Sequence, residues 1–411
     1  MPDSRLPDGW RRLPLRDVAT IVMGQAPPGS TVADWNGGTP NEGLPFIQGN
    51  AEFTNSHPIP AKWCSEPAKV AEAGDTLISV RAPVGEMNLA DRKLAIGRGV
   101  AALRFTGVDV RFGWHQVALA RVSFSRIAQG STFTAINSGD LANLELLAPP
   151  PDEQRRIAEI LDTIDATIEK TEAVIATTER LRSALLGELL TRGVPGWHTV
   201  WKDVPGIGTI PACWDVVRLG DLLTSSVYGP RFPGTLYSDE GNVATLRTTD
   251  LDDGGTICLE GMPRAQLPID DFLEFFLADN DVVITRSGSC GIAAVFQGHS
   301  MPVLPGAFLI RLRPKRSEYS THLKLWLNSE SGRSATKRIE AGGVQKNLNA
   351  QNLRQLQLPW PRGAERAAIV AVAQGILERT QREQTFLADA RKAKVSVANV
   401  LLSGRVRTMR V

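Results

Sequence analysis

Gln48, Asn50, Arg81, Arg98, Ser131, Thr132 and Asn137 stand beside short apolar runs in the first half of this 411-residue chain. Arg247, Thr248, Thr249, Asp250, Arg286, Ser287, Gln345, Lys346 and Asn349 stand in similar settings in the second half. These are residue types that handle bases and phosphates. An arginine fork matches the O6/N7 edge of guanine, and Asn or Gln matches the N6/N7 edge of adenine. Ser, Thr and backbone amides hold phosphate. Taken singly, each side chain is explained as well by a solvated surface. The positional echo adds weight. Gly130-Ser131-Thr132 leads into Ile136-Asn137, and Gly342-Gly343-Val344-Gln345-Lys346 leads into Leu348-Asn349.

No motif supplies chemistry of its own. The chain lacks GxxxxGK[ST], HExxH, an Asp/Asn-Pro-Pro-Tyr/Phe motif to hold a flipped base, and a glycine-rich strand-to-helix turn for S-adenosylmethionine. Ser287-Gly288-Ser289-Cys290-Gly291 reads as a turn after a strand, because no motif places a histidine to activate Ser289 or Cys290. The histidines at 57, 115, 198, 299 and 322 are isolated, which points to structural or surface roles. Cys64, Cys213, Cys258 and Cys290 form no CxxC pair or zinc-spaced cluster, so reduced thiols and no metal are expected. Hydrophobic content of 42%, charged content of 22% and net charge +2 describe a soluble chain without bulk basicity. Any attraction to phosphate must then come from a local face. The first residues contain no apolar signal core, and no run approaches the ~20 residues a membrane span requires. A cytoplasmic protein is expected.

The elements that must position these side chains come twice. Trp10 to Asp17 and Trp214 to Asp221 open two similar halves. Ile136-Asn137, Leu141, Leu144, Leu146, Pro149, Glu153 and Ile157 return 212 positions later as Leu348-Asn349, Leu353, Leu356, Leu358, Pro361, Glu365 and Ile369. Short strands bounded by turn formers fill each half, among them 76–80 with 282–286 and 100–105 with 307–312. Helical stretches follow at Trp114–Ala128 and His322–Ala341.

Two long helices are the clearest local prediction. After Pro149-Pro150-Pro151, Asp152 suits an N-cap. Ile157, Leu161, Ile164, Ile168, Thr171, Ile175 and Thr178 then recur in heptad spacing, prolonged by Leu181, Leu185 and Leu189. Gly193 and Pro195 end this helix, which is roughly 60 Å long at ~1.5 Å per residue. The second helix carries Ile369, Ala373, Ile376, Thr380, Leu387, Val397 and Leu401 on the equivalent seam, interrupted by Glu383 and Lys394. Residues 151–193 hold nine acidic and six basic groups; residues 362–411 hold four acidic and ten basic. Opposite charge and two narrow apolar seams favour an antiparallel intramolecular pair. The expected fold is α+β with a pseudo-twofold repeat. It divides into a mixed α/β domain at 1–150, a helix at 151–193, a second mixed domain at 194–361 and a second helix at 362–411.

These phrases resemble the specificity subunit of a Type I restriction-modification system, over essentially the whole chain. The resemblance rests on Leu6-Pro7-Asp8-Gly9-Trp10 with Ile210-Pro211-Ala212-Cys213-Trp214, and on Gly74-Asp75-Thr76-Leu77-Ile78 with Asn280-Asp281-Val282-Val283-Ile284. It rests most of all on Leu146 to Leu161 with its Pro-Pro-x-x-Glu-Gln-Arg-Arg-Ile run. The second copy departs from that run by placing Arg366 where the first has Gln154. The resemblance implies two target recognition domains, each reading half of a split double-stranded DNA site, with the helices as a ruler for the spacer. It implies a chain without catalysis or bound cofactor. Two methyltransferase subunits would dock on the exposed helix surfaces and bring S-adenosylmethionine. ATP and Mg would belong to restriction/translocase subunits. Two other classes stay open: a two-module protein-binding scaffold, marked by no salt-dependent DNA binding, and an enzyme, marked by a retained cofactor or metal.

Overall fold

The computed structural model describes residues 6–34, 43–54, 57–129, 135–288, 290–339 and 347–408. The chain forms two units, residues 1–174 with 383–411 and residues 175–382. The long helices Pro151–Arg192 and Gly363–Leu402 therefore each contribute to both. The fold is α+β. Among the described residues no helix is long and apolar enough to cross a membrane.

In the first unit an antiparallel sheet runs in the order Ala19–Met23, Val100–Phe105, Thr76–Ser79, Met87–Leu89. A second sheet of five strands has one parallel pair at its centre, Leu44–Ile47 beside Leu94–Ile96. The second unit repeats both. Its antiparallel sheet runs Leu223–Tyr228, Leu309–Pro314, Val282–Thr285, Ala293–Val295. Its parallel pair is Val243–Leu246 with Val303–Pro305. A small sheet closes each unit: Arg11 opposes Ala148, and Asp215 opposes Trp360. The hairpin Trp201–Val204/Gly208–Pro211 has no described counterpart in the first unit.

The central strands are buried on both faces, which is why they read as unbroken apolar runs. Leu77, Ile78, Ala101, Leu103, Val282, Ile284, Ile310 and Leu312 are all inaccessible. The Gly-Asp and Asn-Asp phrases before strands 76–79 and 282–285 have one structural purpose. Gly74 and Asn280 take positive φ, 89° and 69°, which only Gly and a few short polar residues adopt readily. Buried Asp75 then grips Arg104 at 2.8 and 2.9 Å, and Asp281 grips Arg313 at 2.7 and 2.9 Å. Each carboxylate ties the start of its strand to the neighbouring strand.

Helical expectations are met with local corrections. The first stretch is one helix, Val110–Gln129, but the second is two, Ser320–Asn328 and Glu330–Arg338. Ser329 between them is extended and caps the latter helix by accepting the Gly332 N–H. The first long helix begins at Pro151, so proline takes the first helical position and Asp152 lies inside the first turn rather than at the cap. Gly193 and Gly404 follow the helices with φ of 78° and 73°, the left-handed stop glycine readily adopts.

Within each unit the helix segments run antiparallel. In the first, Ile157 and Leu161 pack with Ala398, Leu401 and Leu402, while Asp165 meets Lys394 at 2.5 Å and Glu172 meets Arg391 at 2.6 Å. In the second, Leu185, Leu186, Leu189 and Leu190 share a core with Ile369. Ile164, Ile168, Ile175, Ile376 and Leu387 are half-buried along the seam. Leu181 departs from its expected seam place: it is 62% exposed. The heptad position falls one residue later, on half-buried Arg182.

The departure at Arg366 is accommodated. Buried Gln154 donates to the Pro149 carbonyl at 2.8 Å and accepts the Asp109 N–H at 2.7 Å. Arg366 donates to the corresponding Pro361 carbonyl at 3.2 Å, pairs with Glu318 at 3.1 Å and lies over the Tyr319 and Trp360 rings. The longer cation keeps the carbonyl bond and recruits a carboxylate where the amide accepted a backbone N–H.

Candidate nucleic-acid interface

Both units build a rim from three loops at the carboxyl end of their parallel strand pair. In the first, Gly97 N–H bonds the Ile47 carbonyl at 2.7 Å, and Gly99 N–H bonds that of Gln48 at 3.2 Å. In the second, Gly306 N–H bonds the Leu246 carbonyl at 2.8 Å. A third loop crosses close beneath. A Cβ on Gly24 would lie 2.1 Å from the Gly97 carbonyl oxygen, and one on Gly229 would lie 2.1 Å from that of Gly306. No side chain fits at either place. Pro28 and Pro233 then start single 3-10 turns, Gly29–Thr31 and Gly234–Leu236. The phrase Gly-x-x-x-Pro-Gly, at 24–29 and again 205 positions later at 229–234, was the available signal for this loop. It escapes a search at the 212-residue offset because the copies differ in loop length.

The expected DNA-facing residues distribute over these rims unevenly. Gln48 and Arg98 are exposed and Asn50 is half-buried on the first rim. Arg81 is also exposed and its backbone bridges to Ala135. On the second rim, Arg247, Thr248 and Thr249 line a cleft of about 470 Å3 together with Arg231, Phe232, Tyr237 and Phe308. Phe308 is 56% exposed, an apolar side chain held in solvent at the mouth. Arg247 is fixed by buried Asp250, which accepts from Nη2 at 2.7 Å, Nε at 3.2 Å and the Arg247 backbone N–H. Ser287 is half-buried. The aromatics had no periodic or motif signal.

Two expectations acquire a different explanation. Asn137 accepts the Asp140 N–H at 3.0 Å, and Asn349 accepts the Gln351 N–H at 2.7 Å. Both are N-caps of short helices, Ser138–Ala142 and Ala350–Arg354. The shared Ile/Leu-Asn phrase is therefore a buried apolar anchor followed by a helix cap, with the Asn carbonyl oxygen already used. Ser131, Thr132, Gln345 and Lys346 lie outside the described residues, as does Ser289.

Arg286 is the least satisfied charged group here. Its guanidinium lies 4.4 Å above the Tyr228 ring, and its buried Nε has no partner. Tyr228 is held at its tip, where its hydroxyl accepts the Ala350 N–H at 2.8 Å. The same backbone positions in the first unit hold Val80 and Met23. Val80 N–H bonds the Gly99 carbonyl as Arg286 N–H bonds that of Phe308, both at 2.9 Å. Met23 precedes Gly24 as Tyr228 precedes Gly229. An apolar pair in one unit is a cation stacked on an aromatic ring in the other.

One cluster of possible metal ligands occurs among the described residues, His115 with Asp162 and Asp165. Its carboxylates are committed: Asp162 to Arg111 and His115, Asp165 to Lys394. Burial keeps His115 below its ordinary pKa against the pull of Asp162. Burial pushes Asp162 up, but the Arg111 and His115 hydrogen bonds outweigh it and the pKa is lowered. This is an internal ion network.

Two copies of one frame, each with a rim of different polar and aromatic side chains, make up the chain. The chain belongs to the Type I restriction modification DNA specificity domain family, whose model matches residues 7–180 and 211–382. It is similar to the putative type I restriction enzyme MjaX specificity subunit of Methanocaldococcus jannaschii, 36% identical over 192 residues. That match spans 46% of this chain and 44% of the relative, less than half of its length. It is also similar to the type I restriction enzyme EcoBI specificity subunit of Escherichia coli, 22% identical over 378 residues, 88% of this chain and 78% of that protein. Among solved structures, the Type I restriction-modification S subunit of M. genitalium has the same fold. Its TM-score is 0.57 at 14% identity, covering 98% of both chains. A chain from a structure of type I R-M assembly and conformational transition gives a TM-score of 0.62 at 17% identity, covering 98% of this chain and 100% of that one. The DNA-specificity reading stands, and the protein-only scaffold is not favoured.

Proposed function

We propose that this chain is the DNA-specificity subunit of a cytoplasmic Type I restriction-modification complex, and that each rim reads one half of a bipartite double-stranded site. The observation that carries this reading is the shared frame with unlike readers. The glycine floor and the parallel strand ends repeat, while Gln48, Asn50 and Arg98 are replaced by Arg247, Thr248, Thr249 and aromatics. A repeated frame with different side chains suits two different half-sites. The chain itself is a non-catalytic recognition subunit. Two methyltransferase subunits would dock on it and supply S-adenosylmethionine, restriction/translocase subunits would supply ATP and Mg, and the long helices would set the spacer.

The test is N6-methyladenine mapping in a host carrying this chain and its methyltransferase, against deletion of this chain alone. Loss of one split motif is expected; unchanged methylation of every motif contradicts the proposal. Within the assembled complex, Arg286→Ala is expected to weaken specific binding by about 1–3 kcal/mol and relax one base position. Equal loss on specific and random DNA would assign Arg286 to a phosphate instead.

A further inference from the structure

Cys213 sits just before Trp214, between strands Gly208–Pro211 and Asp215–Arg218, and its side chain is exposed. Its sulfur lies 3.5 Å from Nδ1 of His198. The other ring nitrogen, Nε2, lies 2.6 Å from Oε1 of Glu365. Glu365 is buried, and it also accepts the Val194 N–H at 3.0 Å and the Trp214 Nε1–H at 2.7 Å. An ionised carboxylate gathering N–H donors can only accept, so Nε2 carries the proton and donates it to Glu365. Nδ1 is then left with its lone pair toward the Cys213 thiol. The ring cannot easily turn away. It meets Trp201 and Trp214 edge-on, at 6.2 and 6.1 Å between centroids.

A thiol, an imidazole able to take its proton, and a carboxylate fixing that imidazole make the nucleophile, base and orienter of acyl-transfer and thiol chemistry. We propose that Cys213 is a base-assisted reactive thiol, a site of S-thiolation by low-molecular-weight disulfides. The thiol proton passes to His198 Nδ1 as the sulfur attacks one sulfur of the disulfide. A bond forms between Cys213 Sγ and that sulfur, and the disulfide S–S bond breaks. The leaving sulfur departs with the electron pair and takes the proton from Nδ1. Cys213 is oxidised to a mixed disulfide with one half of the small disulfide, and the leaving half is reduced to a free thiol.

The site is confined to the second unit. Gly9 stands at the place of Cys213 before Trp10, and Glu153 at the place of Glu365 is held by Arg407 at 2.8 Å rather than by an imidazole. The other thiols differ too. Cys64 is buried, Cys290 is half-buried, and Cys258 is exposed with its Sγ 3.8 Å from the Glu260 carbonyl.

Cys258 is therefore an internal reference of similar exposure. The full-length chain is treated with glutathione disulfide at pH 7, quenched with acid, and each cysteine is followed by peptide mass spectrometry. Cys213 is expected to react about a hundredfold faster than Cys258, the low end of what a positioned base contributes. In unfolding urea the two rates should converge. His198→Asn should lower the Cys213 rate to that of Cys258 without moving Cys258, whose constancy reports an intact fold. Equal rates in the wild-type chain overturn the proposal, as does an unchanged ratio in His198→Asn. The wild-type comparison holds even if the variant misfolds.

Discussion

Where the first unit has Met23 and Val80 in one apolar cluster, the second places Tyr228 under Arg286. The backbone around the two pairs is the same, down to the glycine that follows Met23 and Tyr228. The frame is thus fixed by backbone amides and by missing Cβ atoms, while the side chains above it differ. A similar contrast holds at the helix starts. Glu153 is gripped by Arg407 from the chain's end, and Glu365 by His198 and Trp214. Burial raises the Glu153 pKa, but Arg407 outweighs it and holds the carboxyl below its usual range.

The sharpest test of the shared frame is the glycine floor. Gly24→Ala and Gly229→Ala should each destabilise their own unit by about 3 kcal/mol, because the new Cβ meets backbone that cannot swing aside. Hydrogen exchange resolved by unit reads both. If one substitution is tolerated, the two rims do not share their floor.

Acid should separate the units next. His322 is buried, has an unpartnered Nδ1, and is pushed down to about 3 by burial and by the Arg366 charge. The folded state disfavours the proton that the unfolded chain accepts below about pH 6.5. Stability is therefore complete above that value and is lost as pH falls toward 3. The loss between pH 7 and 5 is about 2 kcal/mol. His115 is shifted in the same direction but has Asp162 to oppose it, so the first unit should lose less. His322→Phe should flatten the response of the second unit alone; an unchanged slope would trace the acid response to other groups.

Trp214 and Trp10 give a smaller contrast. Trp214 donates to Glu365 at 2.7 Å, whereas Nε1 of buried Trp10 faces Glu153 but falls short of hydrogen-bond geometry. Replacing each by Phe removes similar volume but only one hydrogen bond to a charge. Trp214→Phe should cost about 1.5 kcal/mol more than Trp10→Phe in denaturant unfolding. Equal costs would mean the indole bond contributes nothing.

The sequence made the duplication, the long helices and their seam legible, because these depend on periodicity and on fixed offsets. It misled where one residue type serves two purposes. Asn137 and Asn349 have the chemistry of adenine readers, yet a helix end had first use of their oxygens. Asp152 has the chemistry of a cap, yet Pro151 before it already fits the helix. Leu181 looked like seam because leucines recur four apart, yet the strict heptad places Arg182 there. Tyr228 with Arg286, and Cys213 with His198 and Glu365, were invisible because each set is assembled from distant segments.

The smallest effect probes that polar seam place. Lys394 occupies it in the second helix and meets Asp165; 212 positions earlier stands Arg182, and 212 positions after Asp165 stands Leu377. The second unit thus has the cation without the seam acid. Arg182 bonds Glu179 on its own helix instead, at 2.8 Å, and Leu377 is 37% exposed. Asp165→Asn should cost about 0.5 kcal/mol, as expected for a partly exposed pair. Leu377→Asp should gain a similar amount if the helix segments of both units pair in one register. Both changes should fade in high salt, since screening weakens such pairs. A salt-independent loss in Leu377→Asp would instead show that Leu377 packs as an apolar residue and that the repeat in sequence does not extend to the register of the helix pair.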